Sequence, residues 1–424
     1  MEPALMNPAP DDLRRGAKRR ASSHRLLIAL LCLAVIAVAT LVYVVVRWRN
    51  PTATPSTSVA PSGAVGAHAY MSPSGRGNCT AAAPCSDLQK AITTAGNGGT
   101  VEMAAGQYPR AVLNSADSGS RRTRDVLVHP ASGANVQIAS VRSSAAHVHF
   151  ADLNFSGTVY LTPEANFTTL DHVHVKGLNA SVLVRSSNVL VEDSIIEGGH
   201  AHDGINIASR PPNHDITILR NTIRNYTTGG FVHSEHPDCI QLFDTNHVKI
   251  EQNSLSNCYN SAITFSPGAN LGISDVYIAG NFMQGCLPEL QRCGNGGSVL
   301  DLREKVDKVV VLHNTFGHGS LRLPAQPGVS APANIVTYLS TTDCSTALSD
   351  SVIGDYPTGL CKGGLPGLAA GDWLGTVTFK DEAATDLRLV GSAPAPPTGT
   401  VHSIGGPGRY STMPPGTVGA AGPS

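Results

Sequence analysis

ILRNTI, which starts at Ile218, returns along the chain as IEQNSL at Ile250, IAGNFM at Ile278 and VLHNTF at Val311. Three earlier segments keep the apolar positions of this pattern and lack the asparagine at its fourth place: FADLNF at Phe150, LDHVHV at Leu170 and VEDSII at Val191. Successive segments start 20 to 33 residues apart. A repeat of this period made of short apolar strands is the signature of a β-solenoid. The segments therefore predict an all-β chain wound into coils of three short strands.

The asparagines occupy one position of the repeat: Asn221, Asn253, Asn281 and Asn314. Residues at one position of successive coils stack on one another in a solenoid, and stacked amides can hydrogen-bond along the stack. The sequence predicts a structural asparagine ladder at this position.

A second strand repeats out of phase with the first: TVYL at Thr158, SVLV at Ser181, GINI at Gly204, CIQL at Cys239, AITF at Ala262 and VLDL at Val299. Because side chains alternate between the two faces of a strand, the alignment predicts one inward stack: Val159, Val182, Ile205, Ile240, Ile263 and Leu300. It also predicts a neighbouring outward stack: Tyr160, Leu183, Asn206, Gln241, Thr264 and Asp301.

One short helix precedes the repeats. Ser86 and Gln89 have the spacing of a capping box, and Gly96 is a stop signal. Between them, apolar residues recur at helical spacing: Leu88, Ala91, Ile92 and Ala95. The pattern predicts an amphipathic cap helix, after which GGTVEMAAGQY leads into the strands.

An uncharged run of 21 residues, LLIALLCLAVIAVATLVYVVV, extends from Leu26 to Val46. A helix of this length spans the hydrocarbon core of a bilayer. Basic residues are concentrated before the run, which by the positive-inside rule places the N-terminus in the cytoplasm. The alternative is a cleaved signal peptide, whose apolar region is normally only about 7–15 residues long. We expect an uncleaved single-pass anchor in the plasma membrane, with the C-terminal domain on the extracytoplasmic side.

Composition changes along the chain predict five regions. These are a cytoplasmic basic segment (1–25), a transmembrane helix (26–46), a flexible linker rich in Pro, Ser and Thr (47–67), a parallel β-helix domain (68–391) and a disordered tail rich in Gly and Pro (392–424).

The balance of charges limits the partners. Charged residues make up 14% of the chain, which argues against a coiled coil or a charged disordered chain. From Asn50 onward there are 22 basic and 28 acidic residues. A mildly acidic body without a basic stripe makes nucleic acid an unsuitable partner.

Eight of the nine cysteines form four pairs that are close in sequence: Cys79/Cys85, Cys239/Cys258, Cys286/Cys293 and Cys344/Cys361. The ninth, Cys32, lies in the apolar run. An even number in an exported domain indicates disulfides. Zinc is the alternative, but no pair has CxxC spacing. We expect four disulfides between neighbours, although eight cysteines permit 105 pairings.

The cap helix, the GGTVEMAAGQY entry, the I-x-x-N-x-[IF] repeats and the closing FKDEAATDLRLVGSAP resemble right-handed parallel β-helix proteins of the pectin-lyase-like superfamily. The resemblance covers roughly residues 68–395. It implies a right-handed parallel β-helix. That superfamily includes polysaccharide lyases, glycoside hydrolases, uronate epimerases, phage tailspikes and surface proteins without known chemistry, so the fold alone does not decide the activity.

Two coils carry clusters of ionisable side chains. In the alignment above, Asp203 and Asp238 occupy one position of consecutive coils, beside His202 and His236. Two carboxylates about 5 Å apart repel by roughly 3 kcal/mol at an effective dielectric constant of about 20. One carboxyl group is therefore expected to keep its proton, unless a cation such as calcium bridges the two. A protonated acid beside an ionised one suits glycoside hydrolysis, and the histidines could carry protons near neutral pH.

The structural alternative is that each aspartate caps a turn. Polygalacturonases, which the pattern resembles, begin adjacent strands with Asn-Thr-Asp-Gly and Asp-Asp-Cys. Here His202 replaces the Thr and Pro237 replaces the first Asp of the second motif. One of that family's three carboxylates is missing, which argues against a polygalacturonase. A Gly-His-Gly match at Gly317 is interpreted as a turn.

The sequence thus predicts a membrane-anchored extracytoplasmic β-helix protein that binds or processes a polysaccharide as a glycoside hydrolase, lyase or epimerase. Asp203, Asp238, His202 and His236 are the predicted catalytic residues. The predicted substrate-binding residues are Asn206, Gln241 and Arg303.

An eliminative enzyme would need a base and a charge neutraliser. A histidine is a candidate for the base, and Arg303 or a bound calcium for the neutraliser; no other cofactor is expected. The alternative is a non-catalytic cell-surface scaffold or adhesion protein, which the scarcity of aromatic residues favours.

Overall fold

The computed structural model describes residues 66–115, 122–177, 181–200, 202–228, 236–269, 271–288, 290–291, 293, 298–302, 306–323, 328–340, 348–349, 351–355, 373–374, 377–381 and 386–389. The chain divides into two units, Met1–Gly63 and Ala64–Ser424. All described residues belong to the second unit. The predicted basic segment, membrane helix and tail lie outside the described residues, as does the linker up to residue 65. Within the described ranges, no helix has the length and hydropathy needed to cross a membrane.

The second unit is a parallel solenoid whose coils each contribute strands to three stacks. The first stack is one sheet of fourteen strands: β1 His68–Met71, β2 Arg76–Thr80, β3 Ala83–Cys85, β4 Thr100–Met103, β7 Val126–Pro130, β10 Val148–Ala151, β13 Thr168–Asp171, β16 Val189–Glu192, β19 Asn213–Leu219, β22 Thr245–Glu251, β25 Ile273–Ala279, β28 Val306–Leu312, β30 Val329–Pro332 and β32 Leu348–Ser349.

The second stack follows the first within each coil: β5 Gly106–Tyr108, β8 Val136–Ile138, β11 Asn154–Phe155, β14 His174–Val175, β17 Ile195–Glu197, β20 Thr222–Tyr226, β23 Ser254–Cys258, β26 Phe282–Met283 and β29 Thr315–Arg322. The third stack completes the coil: β6 Ala111–Leu113, β9 Val141–Ser143, β12 Val159–Leu161, β15 Val182–Val184, β18 Ile205–Ile207, β21 Ile240–Leu242, β24 Ser261–Phe265 and β27 Ser298–Leu302.

Strand β29 pairs with both β26 and β27 and so joins the second and third stacks. After it, β31 Ile335–Ser340, β33 Val352–Asp355 and β34 Trp373–Leu374 continue the joined sheet, and β35 Phe379–Asp381 pairs with β36 Asp386–Leu389 in an antiparallel ribbon. Gly317, His318 and Gly319 lie within β29. The interpretation of this Gly-His-Gly segment as a separate turn is therefore wrong, although the register of β29 against β31 shifts between Phe316 and Ser320, where the strand passes from the second stack to the third.

The predicted inward stack of the third face is confirmed residue by residue. Val159 pairs with Val182, and the register continues through each later member of the predicted series. All six side chains are fully buried. Together with the apolar positions of the other two faces they form one continuous core along the solenoid, which supplies most of the stabilisation of such a repeat.

The predicted outward stack is also in register, but its later members are not exposed. Gln241, Thr264 and Asp301 are buried, whereas Tyr160 is half-buried. Neighbouring side chains cover the later coils. The Gln241 amide donates to Ser266 Oγ at 3.0 Å, and Arg322 Nη1 lies 3.4 Å from Asp301 Oδ2.

The asparagine ladder is confirmed and is longer than predicted. Nδ2 of each asparagine donates to Oδ1 of the next, for example Asn221 to Asn253 at 3.0 Å and Asn253 to Asn281 at 3.0 Å. Each of these Oδ1 atoms also accepts the backbone N–H of the asparagine in the preceding coil, at 2.8–3.0 Å. Asn334 extends the ladder, and Ser194 and Ser351 occupy its two ends. The ladder lies at the tight bend between the first and second stacks.

Helix α1 (Leu88–Ala95) packs its four apolar residues against the first strands. Its N-cap is Asp87, whose carboxylate accepts the backbone N–H of Lys90. The predicted capping box is therefore wrong by one residue. Gln89 instead accepts the backbone N–H of Asn114 at 2.7 Å, which ties the helix to the chain after β6.

Three of the four expected disulfides are present, with the expected partners: Cys79–Cys85, Cys239–Cys258 and Cys286–Cys293. Cys344 and Cys361 lie outside the described residues. Cys239 and Cys258 are fully buried, so this disulfide crosses the inside of a coil.

Candidate functional site

Differences in turn length produce a groove where the third stack bends into the first. The turn after β21 contains two residues, Phe243 and Asp244. The corresponding turns of the coils on either side, 208–212 and 266–272, contain five and seven residues. The short turn therefore forms a floor between two longer turns. The resulting groove has a volume of about 560 Å³.

The groove is lined by polar and cationic side chains around one aromatic ring: Arg185, Asn206, Ser209, Arg210, Phe243 and Asp244. Gly268 and Ala269 of the turn 266–272 form its other wall. This surface can take a polar, extended ligand.

Arg185 is the group most readily matched to an anion. Its Nη1 donates to the carbonyl oxygens of Val184 at 3.1 Å and Asn206 at 2.9 Å, which fixes the guanidinium at the groove. Burial lowers the pKa of Arg185, partly offset by the charge of Asp203. Within the described part of the chain, no carboxylate forms an ion pair with it. A desolvated guanidinium without such a partner is suited to binding a carboxylate ligand.

The two predicted carboxylates lie at the opposite end of the third-stack strands, on adjacent coils. The pairing of Ile205 with Ile240 gives Asp203 and Asp238 equivalent positions, as the alignment predicted. The backbone N–H of Asp238 donates to Asp203 Oδ1 at 2.9 Å. Asp203 is 5% exposed and Asp238 is fully buried. The pair thus lies beneath the surface and does not face an open groove.

Amide and hydroxyl groups hold each carboxylate in place. Asn206 donates to Asp203 Oδ2 at 2.8 Å. Asn260 and Thr264 both donate to Asp238 Oδ1 at 2.8 Å. Asp238 Oδ2 is buried without a hydrogen bond in the structure.

Burial, reinforced by the neighbouring charge of Asp238, raises the pKa of Asp203 to about 7. Burial also raises the pKa of Asp238, against the opposing effects of His236, Thr264 and Asn260. Two carboxyl groups this close share their protons, and their titration belongs to the pair. The pair therefore retains a proton at pH values where ordinary aspartates are ionised.

His236 is the exposed member of this cluster. Its Nδ1 lies 3.8 Å from Asp238 Oδ2, which is too long for a hydrogen bond but close enough for charge attraction. The carboxylate raises the pKa of His236. His202, the fourth predicted catalytic residue, is exposed beside Asp203 in sequence, and no contact joins it to either carboxylate.

The predicted substrate-binding residues have different environments. Asn206 lines the groove and bonds both to Asp203 and, at 3.1 Å, to Gln241 Oε1, so it connects the groove with the acid pair. Gln241 is buried beneath it. Arg303 lies outside the described residues.

Sequence reasoning missed Arg185, Arg210 and Asp244. The alignment of the third-stack strands could have found them, since each follows a strand end at 184, 207 or 242. The missing signal was turn length, which decides where a groove opens.

The turn-cap interpretation of the aspartates is correct in one respect. Asp203 accepts a backbone N–H, but from the next coil and not from its own turn. This bond accounts for one oxygen of Asp203. It does not explain why a second carboxylate is buried against the first.

A separate cluster on the bend after the first stack could hold a divalent cation. Oxygen and nitrogen atoms of Asp171, His172 and Asp193 lie within 4.8 Å of one another. Arg220 already forms an ion pair with Asp193, and His172 bonds to Asp171 at 2.5 Å. The cluster is therefore satisfied by protein groups, and calcium binding stays a prediction.

Comparison with known proteins bears on this fold. The family model for the right handed beta helix region matches residues 157–318, which contain the acid pair and the ladder as far as Asn314. This part of the chain is therefore similar to right-handed β-helix regions, in agreement with the parallel stacks described above.

Two curated relatives of this β-helix protein come from Arabidopsis thaliana. One, named Probable pectate lyase 10, is 27% identical over 169 residues, which cover 39% of this chain and 34% of the relative. The other, named Probable pectate lyase 8, is 28% identical over 135 residues, or 32% of this chain and 28% of the relative. The chain thus matches about a third of the length of these relatives.

Solved structures similar to this β-helix protein include a pectate lyase, at 10% identity and a TM-score of 0.40, which covers 68% of this chain and 74% of its own. The A-module of a mannuronan C-5 epimerase from Azotobacter vinelandii is 15% identical with a TM-score of 0.30, and the match covers 63% of this chain and 94% of the module.

Proposed function

We propose that this protein binds a polyuronate in the groove beside Arg185 and processes it by removing a proton next to the uronate carboxylate. One observation carries the proposal: a desolvated guanidinium without a carboxylate partner in the described chain lies on the strand face that also carries the acid pair and His236. The names of the two Arabidopsis relatives, both pectate lyases, agree with it.

The burial of the two aspartates separates the three reaction types. Glycoside hydrolysis needs one carboxyl group on each side of the scissile bond. Asp203 and Asp238 are buried and linked to each other by a hydrogen bond, so they cannot flank a sugar. Elimination or epimerisation needs a base within reach of the uronate, and the exposed His236 offers one, while Arg185 offers a separate binding site for a uronate carboxylate further along the polymer.

The residues then have distinct roles. Arg185 binds the carboxylate of a uronate about two sugar units away from the one at which His236 acts, and so holds the polymer in register. His236 is the base, because it is the exposed titratable group of the cluster. Asp238 orients His236 and holds its positive charge after proton transfer, while Asp203 carries the proton of the pair. The third-stack strand between His236 and the groove is three residues long, which corresponds to about 10 Å, or roughly two sugar units.

Activity assays on the purified chain test this proposal. Wild type should release unsaturated or epimerised uronate from polygalacturonate or alginate and leave a neutral glucan unchanged. Arg185→Ala and His236→Ala should each lower kcat/KM on the order of a hundredfold. Arg224→Ala is the matched control, because Arg224 forms an ion pair with Glu197 on the second stack. Equal activity of wild type and Arg185→Ala would refute the assignment.

A non-catalytic surface role is the second candidate. Phe243 is the only aromatic ring among the described residues that line the groove, and sugar subsites usually offer several. Binding of polyuronate by wild type without any change in the polymer would support this candidate.

The proposal also places the β-helix outside the plasma membrane, held by the apolar segment 26–46. An extracytoplasmic location is consistent with the three disulfides and with a polymeric substrate. We expect the protein to stay with membranes after washing in high salt and to be released by detergent. A soluble form that begins after residue 46 would contradict the anchor.

A further inference from the structure

Asp244 has an unusual environment for a carboxylate on a groove. It is 3% exposed, and it accepts backbone N–H groups from three residues of the turn 266–272. Oδ1 accepts from Leu271 at 2.8 Å and from Gly272 at 3.2 Å, and Oδ2 accepts from Ala269. These bonds connect the short turn of one coil to the long turn of the next.

The long turn is adapted to this contact. Gly268 has a φ of +53°, and a Cβ atom there would lie 2.5 Å from Asp244 Oδ2. Any side chain would therefore be strained and would also displace the carboxylate. Glycine at 268 lets the backbone approach closely enough for the three N–H groups to reach Asp244.

The contact matters because both partners line the groove. Asp244 lies in its floor, and Gly268 and Ala269 form the wall opposite Arg185 and Arg210. Turns of this length are mobile unless their backbone groups are bonded. Without Asp244, the distance between the two walls would vary.

We propose that Asp244 is a positioning residue that fixes the turn 266–272 as a wall of the groove, and that the position of this wall determines how tightly a polyuronate binds. The proposal rests on the function proposed above for the groove. Asp244 does not touch the reacting atoms; it acts through the turn that it holds.

Asp244→Asn is the first test. The amide of the variant has a single oxygen, and its N–H₂ group replaces the other acceptor. Depending on the orientation of the amide, this group faces Ala269 or faces Leu271 and Gly272, so at least one of the three bonds is lost. We expect amide hydrogen exchange at Ala269, Leu271 and Gly272 to become at least about tenfold faster. We expect KM for polyuronate to rise roughly tenfold, the equivalent of one charge-assisted hydrogen bond, with kcat changed less than about twofold.

Gly268→Ala is a second route to the same result, because its Cβ forces the turn and the carboxylate apart while the charge of Asp244 is kept. The matched control is Asp275→Asn, which removes an exposed carboxylate that pairs with His247 on strand β22 of the preceding coil. The control should change neither KM nor exchange at the three amides.

The outcomes separate this proposal from the proposed function. Unchanged exchange in Asp244→Asn overturns the positioning role, whatever the activity. A fall in kcat with unchanged KM would show a general loss of folded enzyme and would also overturn it. If wild type neither binds nor alters any polyuronate, the proposed function fails, and the effect of this wall on polyuronate binding fails with it. Faster exchange in Asp244→Asn would then show only that Asp244 holds the turn.

Discussion

The asparagine ladder and the acid pair are both stacks of buried polar side chains from adjacent coils, yet they are satisfied to different degrees. Asn253 accepts from the backbone and side chain of Asn221 and donates to Ile218, Glu251 and Asn281. The amide thus uses both its hydrogens and its oxygen. Amides can stack without limit because each offers a donor to one neighbour and an acceptor to the other.

The acid pair lacks this complementarity. Asp203 and Asp238 offer only acceptors when ionised, so they meet through a backbone N–H and leave Asp238 Oδ2 without a hydrogen bond. Burying a second carboxylate there costs free energy that an amide would not cost. The comparison teaches that stacking of buried polar groups is structural where donors and acceptors alternate, and that it calls for a functional explanation where they do not.

The first prediction tests the ladder side of the comparison and has the largest expected effect of any single substitution. Asn253→Ala removes hydrogen bonds to both neighbouring coils and leaves their buried partners unsatisfied. We expect the free energy of unfolding to fall by about 3 kcal/mol, since each buried group left without a partner costs about 1–3 kcal/mol. Chemical denaturation followed by far-ultraviolet circular dichroism measures this.

Asn154→Ala is the control for that experiment. Asn154 is half-buried and bonds to the neighbouring coil through Asn135 and Val136, away from the ladder. Its replacement should cost clearly less. An equal loss in the two variants would show that the ladder has no special role in stability.

How far the sequence predicts these regions follows from the same physics. The register of Ile205 on Ile240 and the amide stack of Asn221 on Asn253 are set by patterns that recur in every coil. The burial of Asp238 is not set by such a pattern, because it depends on the side chains and turns that cover the coil from outside. The groove is harder still, since it arises from the two-residue turn at Phe243 between longer turns, and turn length varies freely without disturbing the core.

The ladder also shows where a motif is too strict. Ser194 and Ser351 occupy its ends, although a search for asparagine at the fourth place overlooks them. At one end the backbone N–H of Ser194 donates to Asn221 Oδ1, and at the other Ser351 Oγ accepts the backbone N–H of Asn334, so neither end needs a side-chain amide. Asn334 was missed for a different reason: its segment, APANIV, begins with the small Ala331, where the other asparagine repeats begin with Ile or Val.

The second prediction concerns pH and tests the acid-pair side. The pKa of Asp203 is raised to about 7 in the folded protein, whereas an unfolded aspartate titrates near 4. Between these values the folded state binds the extra proton, so stability must decrease as the pH rises from about 4 to about 7. The slope should approach 1.4 kcal/mol per pH unit at its steepest. His236, whose pKa is also raised, adds a further decrease that begins at about pH 6.5, the pKa of an unfolded histidine.

Denaturation curves at a series of pH values measure this slope, with Asp203→Asn/Asp238→Asn as the comparison. The double variant removes the titrating pair, so most of the decrease over this window should disappear. A wild-type stability that is flat between pH 4 and 7 would mean that the two carboxyl groups ionise normally.

The last prediction uses one substitution to decide whether Asp238 is a functional residue buried at a cost in stability or a structural residue. Its expected effect is the smallest. In Asp238→Asn the amide oxygen can keep both bonds to Asn260 and Thr264, while Nδ2 takes the place of the oxygen that has no hydrogen bond. The substitution also removes the charge that helps to raise the pKa of Asp203. Near pH 8 we expect the variant to be more stable than wild type by roughly 1 kcal/mol, because it relieves a buried negative charge at little structural cost. At pH 4, where the pair is largely protonated, the gain should vanish.

The same variant leaves His236 without its carboxylate, so the pKa of His236 should fall. The activity should then drop although the fold is more stable. A stabilised but inactive variant is what a functional pair predicts. A destabilised variant at both pH values would instead place Asp238 with the ladder, as a structural residue whose two hydrogen bonds matter more than its charge.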